Sequence, residues 1–395
     1  MKFTEYKNCC GCGACVEICP KNAISIKMDE YGFAFASLNE SLCIKCGRCK
    51  NICPAIKKDS NSFFEKKAYA ATSMDSSTKN SSSGGIFACM AKRWMHSGGV
   101  VFGTEMDQDF DVRVVQISNE NELVRLQGSK YVQSNMVHTF KEVKDELQKG
   151  KNVFFCGTPC QVSALKNYIG DNENLFLVDI VCHGVPSNKI FKEEIDRLKK
   201  VYKDNLIDFK FRDKKYGHDC VGSLELRNNQ RRKLPPYKSP YYFFFLNNDI
   251  FRECCYNCNY ANVNRPGDIT ICDYWGVDKE ETEFFKTCSN KGFVGVSGII
   301  INTQKGSLFF NENKSDLFFK ETTVEKIQRH NQNLIIPSKK GENYAMVRSI
   351  YKQKGWTEVE KYYRKKYKVK IFMRKIYDKA PTFVKKIIIK LRTKK

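Results

Sequence analysis

The chain has 395 residues, 42% hydrophobic and 28% charged, with nineteen cysteines and a formal net charge of +23. That length holds two or three domains with ample core. No apolar stretch approaches the ~18 residues that span a bilayer, and no apolar leader follows Met1. The expectation is therefore a cytoplasmic, unexported protein whose cysteines stay reduced and serve metal or redox chemistry. Much of the charge is local. Residues 361–395 carry fifteen Lys/Arg against Asp378 alone, a net +14, which leaves a body only mildly basic.

Residues 1–57 contain one cysteine phrase twice. Cys9, Cys12, Cys15 and Cys19-Pro20 repeat as Cys43, Cys46, Cys49 and Cys53-Pro54, both C-x2-C-x2-C-x3-C-P. Bacterial ferredoxins hold [4Fe-4S] cubanes with this run, the fourth cysteine ligating the other cluster. One cluster then takes Cys9, Cys12, Cys15 and Cys53; the other takes Cys43, Cys46, Cys49 and Cys19. Cys10 is left over. CxxC pairs also hold zinc, but the intact run with its proline, given twice, favours clusters. Ala23–Lys27 and Tyr31–Phe35 alternate around a turn and predict a two-stranded sheet. A polar stretch, Lys57–Ser62, reads as a linker.

A second domain follows over 58–340. Ala68–Thr72 predicts a strand, Ser83-Gly84-Gly85 a loop, 86–96 a helix stopped by Gly98-Gly99, and 100–103 a strand. Backbone amides at such a helix start can cradle a phosphate, although the glycines can equally serve a tight turn. A second unit is clearer: strand 152–156, Thr158 as N-cap, Pro159 at the first helical position, and a returning strand Leu175–Val181. A unit of this length predicts parallel strands in an α/β sheet. It gathers Cys156, Cys160, Cys182 and His183 at the carboxyl strand ends, where such sheets bind ligands. From Asp208 to about Thr303 the pattern reads as short strands and turns, with Cys255 and Cys258 in a lone CxxC. No GxGxxG or GxxxxGK[ST] supports a Rossmann NAD site or a P-loop.

Residues 341–395 read as a basic helical tail. Phe383, Val384, Ile387, Ile388 and Leu391 share one face, with lysines elsewhere. Such a helix can lie on an anionic membrane surface or pack its stripe on the body. The charge lacks the interleaved aromatics of a nucleic-acid platform. The fold class expected is thus an α+β ferredoxin-like dicluster domain, an α/β domain with a mixed sheet, and that tail.

From Cys9 to about Gly306 the chain resembles the family of coenzyme F420 hydrogenase/dehydrogenase beta subunits. The phrases that carry the resemblance are Ser83-Gly-Gly85, Gly128-Ser-Lys130-Tyr131-Val-Gln-Ser134, Cys156-Gly-Thr-Pro-Cys160-Gln161, Cys182-His-Gly-Val-Pro-Ser187, Cys255/Cys258, Arg265-Pro-Gly-Asp268 and Asp273-Tyr-Trp-Gly276. The resemblance implies a flavin, FAD, with Ser83, Gly84 and Gly85 at its phosphates and Lys130 and Ser134 as contacts. It implies a third [4Fe-4S] cluster for which Cys160, Cys182, Cys255 and Cys258 are candidate ligands. Two departures blur that set: Cys254 doubles the first cysteine of the pair, and Cys272 stands where the family usually has Gly. Trp275 and the run Tyr241–Phe245 offer rings to a flavin, though core packing is their plainer use.

The function expected is a flavin- and iron–sulfur-dependent oxidoreductase. Its clusters exchange electrons with a ferredoxin-like or other redox protein, and its flavin serves a small-molecule acceptor. His183 or Lys130 is the candidate proton donor, with a structural histidine the plainer reading of His183. Two rivals are an electron-transfer subunit with no substrate of its own, and a reductase at the inner membrane face serving lipid-linked glycan synthesis. Nucleic acid is not expected as a partner, and nothing in the sequence identifies F420 itself.

Overall fold

A computed structural model describes residues 8–57 and 64–380; the expected basic helix over 383–391 lies outside them. In the N-terminal module, strands β1 (Ile24–Met28) and β2 (Ala34–Leu38) pair antiparallel, as the alternation predicts. The two cysteine runs fold alike. Gly13 (φ 83°, ψ −8°) precedes a one-turn helix at Ala14–Glu17, and Gly47 (φ 76°, ψ −9°) precedes another at Arg48–Asn51. A Cβ at either glycine would meet nothing, so the left-handed backbone and not crowding requires glycine there.

The body is built on an eight-stranded mixed sheet. Its first five strands are β3 (Lys67–Ser73), β4 (Val100–Met106), β5 (Val112–Ile117), β6 (Val153–Gly157) and β7 (Leu175–Ile180). Three short strands, β8 (Leu206–Lys210), β9 (Gly222–Leu226) and β10 (Arg231–Leu234), form a separate antiparallel sheet. Strands β11 (Ile269–Asp273), β12 (Ser297–Ile301) and β13 (Leu317–Thr322) then complete the large sheet in the order β13-β3-β12-β11-β7-β6-β4-β5. The central β4, β6, β7 and β11 run parallel, while β12, β3, β13 and β5 are antiparallel to their neighbours. Strand β6 is buried throughout, and β7 in all but its last residue, so both read as apolar runs, interrupted in β7 by Asp179.

Helix α1 (Ile86–His96) follows the Ser/Gly loop, and α2 (Pro159–Ile169) starts at Thr158, whose N–H donates to Gln161 Oε1 at 3.0 Å. Helix α3 (Asn188–Tyr202) is capped by Ser187. The 208–303 stretch, expected as strands and turns, also contains α4 (Pro240–Leu246) and a helix at Thr282–Asn290. Pro240 sits at the first helical position of α4 and Ser239 Oγ accepts the Tyr242 N–H, so a run of bulky rings becomes a buried helix. Of the expected strand over 293–302, only β12 forms.

The stretch from 341, expected as a tail, is part of the body for most of its described length. In α5 (Tyr344–Lys366), Val347, Tyr351, Trp356, Val359 and Tyr363 pack into one aromatic core with α3, α4 and the three-stranded sheet. Trp356 Nε1 donates to Glu194 Oε2, itself buried and paired with Arg197. That core is tertiary in origin: the stripe on α5 is broken by Gly355 (φ 74°), where the helix kinks, and reads poorly along the sequence. Only α6 (Lys368–Lys379) stands partly free.

Candidate functional site

A cavity of about 800 Å³ opens at the carboxyl ends of the parallel strands. Gly157 ends β6, Ile180 ends β7 and Asp273 ends β11, and all three line it. This is the crevice position expected for open α/β sheets. The N-terminal module closes one side with Cys10, Gly11 and Cys12, so one space touches both parts of the chain. The module is held there by Tyr260 Oη, which donates to Pro54 O at 3.0 Å, and by Ser187 Oγ, which donates to Tyr31 O at 2.5 Å.

Among the described residues the cysteines form no disulfide; every thiol is free. In the module they fall into two groups. Burial pushes the Cys15 thiol up to about 12, reinforced by Cys9, Cys53 and Cys49. Burial likewise raises Cys53, next to Cys9 and Cys49. Cys53 therefore sits with the first run, although it ends the second. The complementary set, Cys19 with Cys43, Cys46 and Cys49, lines a second, smaller cavity. Backbone N–H groups already point at sulfur: Ala23 at Cys19 Sγ (3.3 Å) and Lys45 at Cys43 Sγ (3.4 Å). Four soft donors around the smaller cavity, with N–H groups aimed at two of the sulfurs, fit a cubane, and the first set gathers a like number of thiols. No three His, Cys, Asp or Glu among the described residues converge as tightly as a single ion requires.

A third group of thiols lies in the cavity. Cys182 is pushed up to about 12 by burial, then by Cys160 and Cys258; Cys258 is pushed up to about 11 by burial, Cys160 and Cys254. The structure brings Cys160, Cys182 and Cys258 together as the sequence suggests. Cys254 joins them, facing Cys160 and Cys258, while Cys255 bonds Cys254, lines the same cavity and touches the aromatic core. Cys10, left over in the sequence, shares hydrogen bonds with Cys12 and Cys160. Thiols that burial and each other hold protonated become thiolates only if a cation joins them, so this donor set also fits a metal cluster.

The position of Cys258 is set by a buried ion pair. Arg265 places Nε and Nη2 on Asp179 Oδ1 at 2.9 and 2.6 Å, and Asp179 Oδ2 accepts the Gly267 N–H at 2.9 Å. The Arg265 fork also reaches Tyr260 O and Ile180 O, binding the loop after Cys258 to the end of β7. The Arg-Pro-Gly-Asp phrase is thus a clamp for that loop.

Of the flavin candidates, Ser83, Gly85, Lys130 and Ser134 line the cavity; Gly84 does not. Its N–H is given to Ser297 Oγ at 3.0 Å, its carbonyl accepts the Ser73 N–H at 2.7 Å, and a Cβ there would lie 2.5 Å from Ala71 O. Gly84 is required for close packing of loop on sheet, so it is withdrawn as a phosphate contact. Ser134 Oγ accepts Gln161 Nε2 at 2.8 Å. Lys130 Nζ donates to Gln127 O (2.8 Å) and Arg125 O (3.1 Å), and desolvation lowers its pKa to about 7.

His183 faces the cavity mouth with Nδ1 3.3 Å from Asn333 Oδ1 and its ring against Phe245 and Phe251. Desolvation lowers its pKa below the ordinary 6.5, opposed by its bond to Asn333. Trp275 and Phe245 line the cavity, while Tyr241–Phe244 are core.

Residues 150–327 match the family model for the C-terminal part of the coenzyme F420 hydrogenase/dehydrogenase beta chain, and residues 8–56 match the 4Fe-4S dicluster domain. Over those residues the chain is similar to the coenzyme F420 hydrogenase/dehydrogenase beta subunits, in keeping with the phrases at Ser83–Gly85, Gly128–Ser134, Cys156–Gln161 and Cys182–Ser187. A 4Fe-4S dicluster domain thus stands before a mixed α/β domain. Among curated proteins the chain is similar to one subunit of the F(420)H(2) dehydrogenase of Methanosarcina mazei, 25% identical over 217 residues, 48% of this chain and 58% of that protein. The chain thus spans a little over half the length of that relative. Among solved structures it is similar to a chain of the F420-reducing [NiFe] hydrogenase complex from Methanosarcina barkeri, with TM-score 0.47 and 14% identity, covering 74% of this chain and 95% of that one.

Sequence reading gives no role to Arg252 or Arg212, and it names Cys10, Cys254 and Asp273 without placing them. Arg212 Nη1 lies 2.5 Å from Asp273 Oδ2 beside the Trp275 ring. Their placing depends on contacts between segments far apart in the chain.

Proposed function

We propose that this chain is an iron–sulfur flavoprotein oxidoreductase that takes electrons one at a time from a ferredoxin-type protein and delivers them to a small-molecule acceptor in the 800 Å³ cavity. The observation that carries it is the continuity of that cavity: Cys10 and Cys12 of the dicluster module, the Cys160–Cys182–Cys258 group and the Lys130 wall all border one space. When bound, [4Fe-4S] clusters supply single-electron steps and FAD supplies the two-electron step. Cys9, Cys12, Cys15 and Cys53 would hold one cluster, and Cys43, Cys46, Cys49 and Cys19 the second. Cys160, Cys182, Cys258 and Cys254 would hold a third. Ser83, Gly85 and Ser134 present hydrogen-bonding groups to FAD, Phe87 and Trp275 give the cavity apolar faces, and Lys130 holds a transferable proton at Nζ.

Anaerobic reconstitution tests this directly. About eight irons per chain are expected from the module and about four more from the third group, with FAD released on denaturation. Iron near four in total, or a protein that takes up no FAD, would overturn the assignment. The compound in the curated relative's name, F420, is the first acceptor to assay.

A second reading is favoured by α6. Val369, Phe372, Met373 and Ile376 form an outward stripe, each about half exposed or more, flanked by Lys368, Lys370, Arg374 and Lys375. The opposite side is seated on the body through Tyr367 and Ile371 and by Tyr237 Oη on Asp378 at 2.7 Å. Such a helix matches an anionic lipid surface in both charge and apolar depth, each nearby cation adding about 1 kcal/mol. No helix among the described residues is long and apolar enough to cross a membrane. Co-sedimentation with phosphatidylserine vesicles should fall at least tenfold in F372E/I376E; equal binding by the variant removes this reading.

A further inference from the structure

Four arginines are buried within the described body: Arg197, Arg212, Arg252 and Arg265. Three rest on a carboxylate, Glu194 at 2.7 Å, Asp273 at 2.5 Å and Asp179 at 2.6 Å. Arg252 is the most buried of the four, at 1% exposure, and it makes no ion pair among the described residues. Nε donates to Cys9 O at 2.7 Å, Nη1 to Gln133 Oε1 at 2.9 Å, and Nη2 to Ala34 O. All three acceptors are neutral. Phe35 and Phe33 cover the guanidinium at 4.4 and 5.4 Å from their ring centres. Its place is tightly shaped, because a Cβ on Gly11 would come within 2.8 Å of Nη1.

A guanidinium cannot shed its proton, and a lone buried cation costs several kcal/mol. The pattern of the other three arginines implies that an anion is missing from the inventory of side chains. The groups around Arg252 that can become anionic are cysteines. It bonds the carbonyl of Cys9, and it is among the charges that act on Cys254 two residues along. Gln133, its other partner, donates Nε2 to Cys10 O at 2.9 Å. Arg252 therefore stands between the first cysteine run of the module and the thiol group of the cavity.

We propose that Arg252 is the counter-charge of the iron–sulfur cluster anchored by Cys9, and that it sets that cluster's reduction potential. The inference rests on the iron–sulfur reading above. A cubane on four thiolates is anionic and gains one further negative charge when it accepts an electron, with no bond made or broken. A fixed cation stabilises the reduced form more than the oxidised form and so raises the potential. Arg252 is a positioning and tuning residue and exchanges no proton. Lysine would keep the charge and lose the fork that spans Cys9, Gln133 and Ala34.

The test is an anaerobic potentiometric titration of the reconstituted full-length protein with dithionite, followed by electron paramagnetic resonance. In R252Q one cluster transition should move to lower potential by at least tenfold in its reduced-to-oxidised ratio at fixed potential, about 59 mV for one electron. The remaining transitions should stay in place, and R252K should stay closer to wild type. Unchanged transitions in iron-replete R252Q would overturn the proposal, as would an equal shift in R252K. Should R252Q fail to retain iron, R252K decides: iron and potential both kept supports the counter-charge, and loss of either overturns it. A wild-type protein without any cluster signal would instead overturn the iron–sulfur reading itself.

Discussion

Replacing Asp179 by Asn, or Arg265 by Met, is expected to destabilise the protein by about 3–5 kcal/mol, because each change leaves its partner as an uncompensated buried charge. Both side chains are essentially inaccessible, at 0% and 1% exposure. Burial pushes the Asp179 carboxyl up and the Arg265 guanidinium opposes it, so losing Arg265 removes the main force keeping the group ionised. The double variant D179N/R265M should recover part of the loss, since neither charge is then stranded. Denaturant unfolding of the single and double variants measures this, and additive losses would show that the two side chains do not act as a pair. The clamp also fixes the loop carrying Cys258 through Tyr260 O and Gly267 N. Iron bound by the cavity thiols should therefore fall in the single variants while the module's iron is kept.

Removing the Lys130 ammonium by Lys130→Met is expected to lower turnover roughly 10²–10⁴-fold, the usual worth of a positioned general acid. The pH dependence separates this role from simple flavin contact. Desolvation brings Lys130 from the ordinary 10.5 to about 7. Below about 7 it is charged and able to donate; above about 7 it is neutral. Wild-type turnover should therefore be level on the acid side of 7 and decline on the alkaline side. K130M should lack that decline while still binding FAD. A variant that keeps the alkaline limb would assign it to another group. The same shift has a stability consequence of known sign: burying the charged amine is unfavourable at and below pH 7, and that penalty fades as pH rises toward 10.5, where the unfolded chain also loses its proton.

His183 shows how far pattern alone reaches. Its place after Cys182 at a strand end was readable, and it does face the cavity. Its chemistry depends on Asn333 and on the rings of Phe245 and Phe251, which approach from elsewhere in the chain. Gly84 is the reverse case. A glycine before a helix reads as a phosphate cradle, yet its amide is already satisfied by Ser297, more than two hundred residues away.

By itself the sequence determined what is short-range. The two cysteine runs, their turn glycines at 13 and 47, the β6–α2–β7 unit and its N-cap all follow from spacing and local backbone preference, and the fold contains each of them. Only the tertiary structure decided the rest. It took α5 into the aromatic core, because that helix is stabilised by rings from α3 and α4 and not by a stripe of its own. It brought Cys254 beside Cys160 and Cys258, which the doubled cysteine alone could not assign. It buried Arg252 without a carboxylate, a feature visible only when every neighbour is known. Spacing reports which donors a chain possesses; burial and charge, which are sums over residues distant in sequence, decide what those donors face.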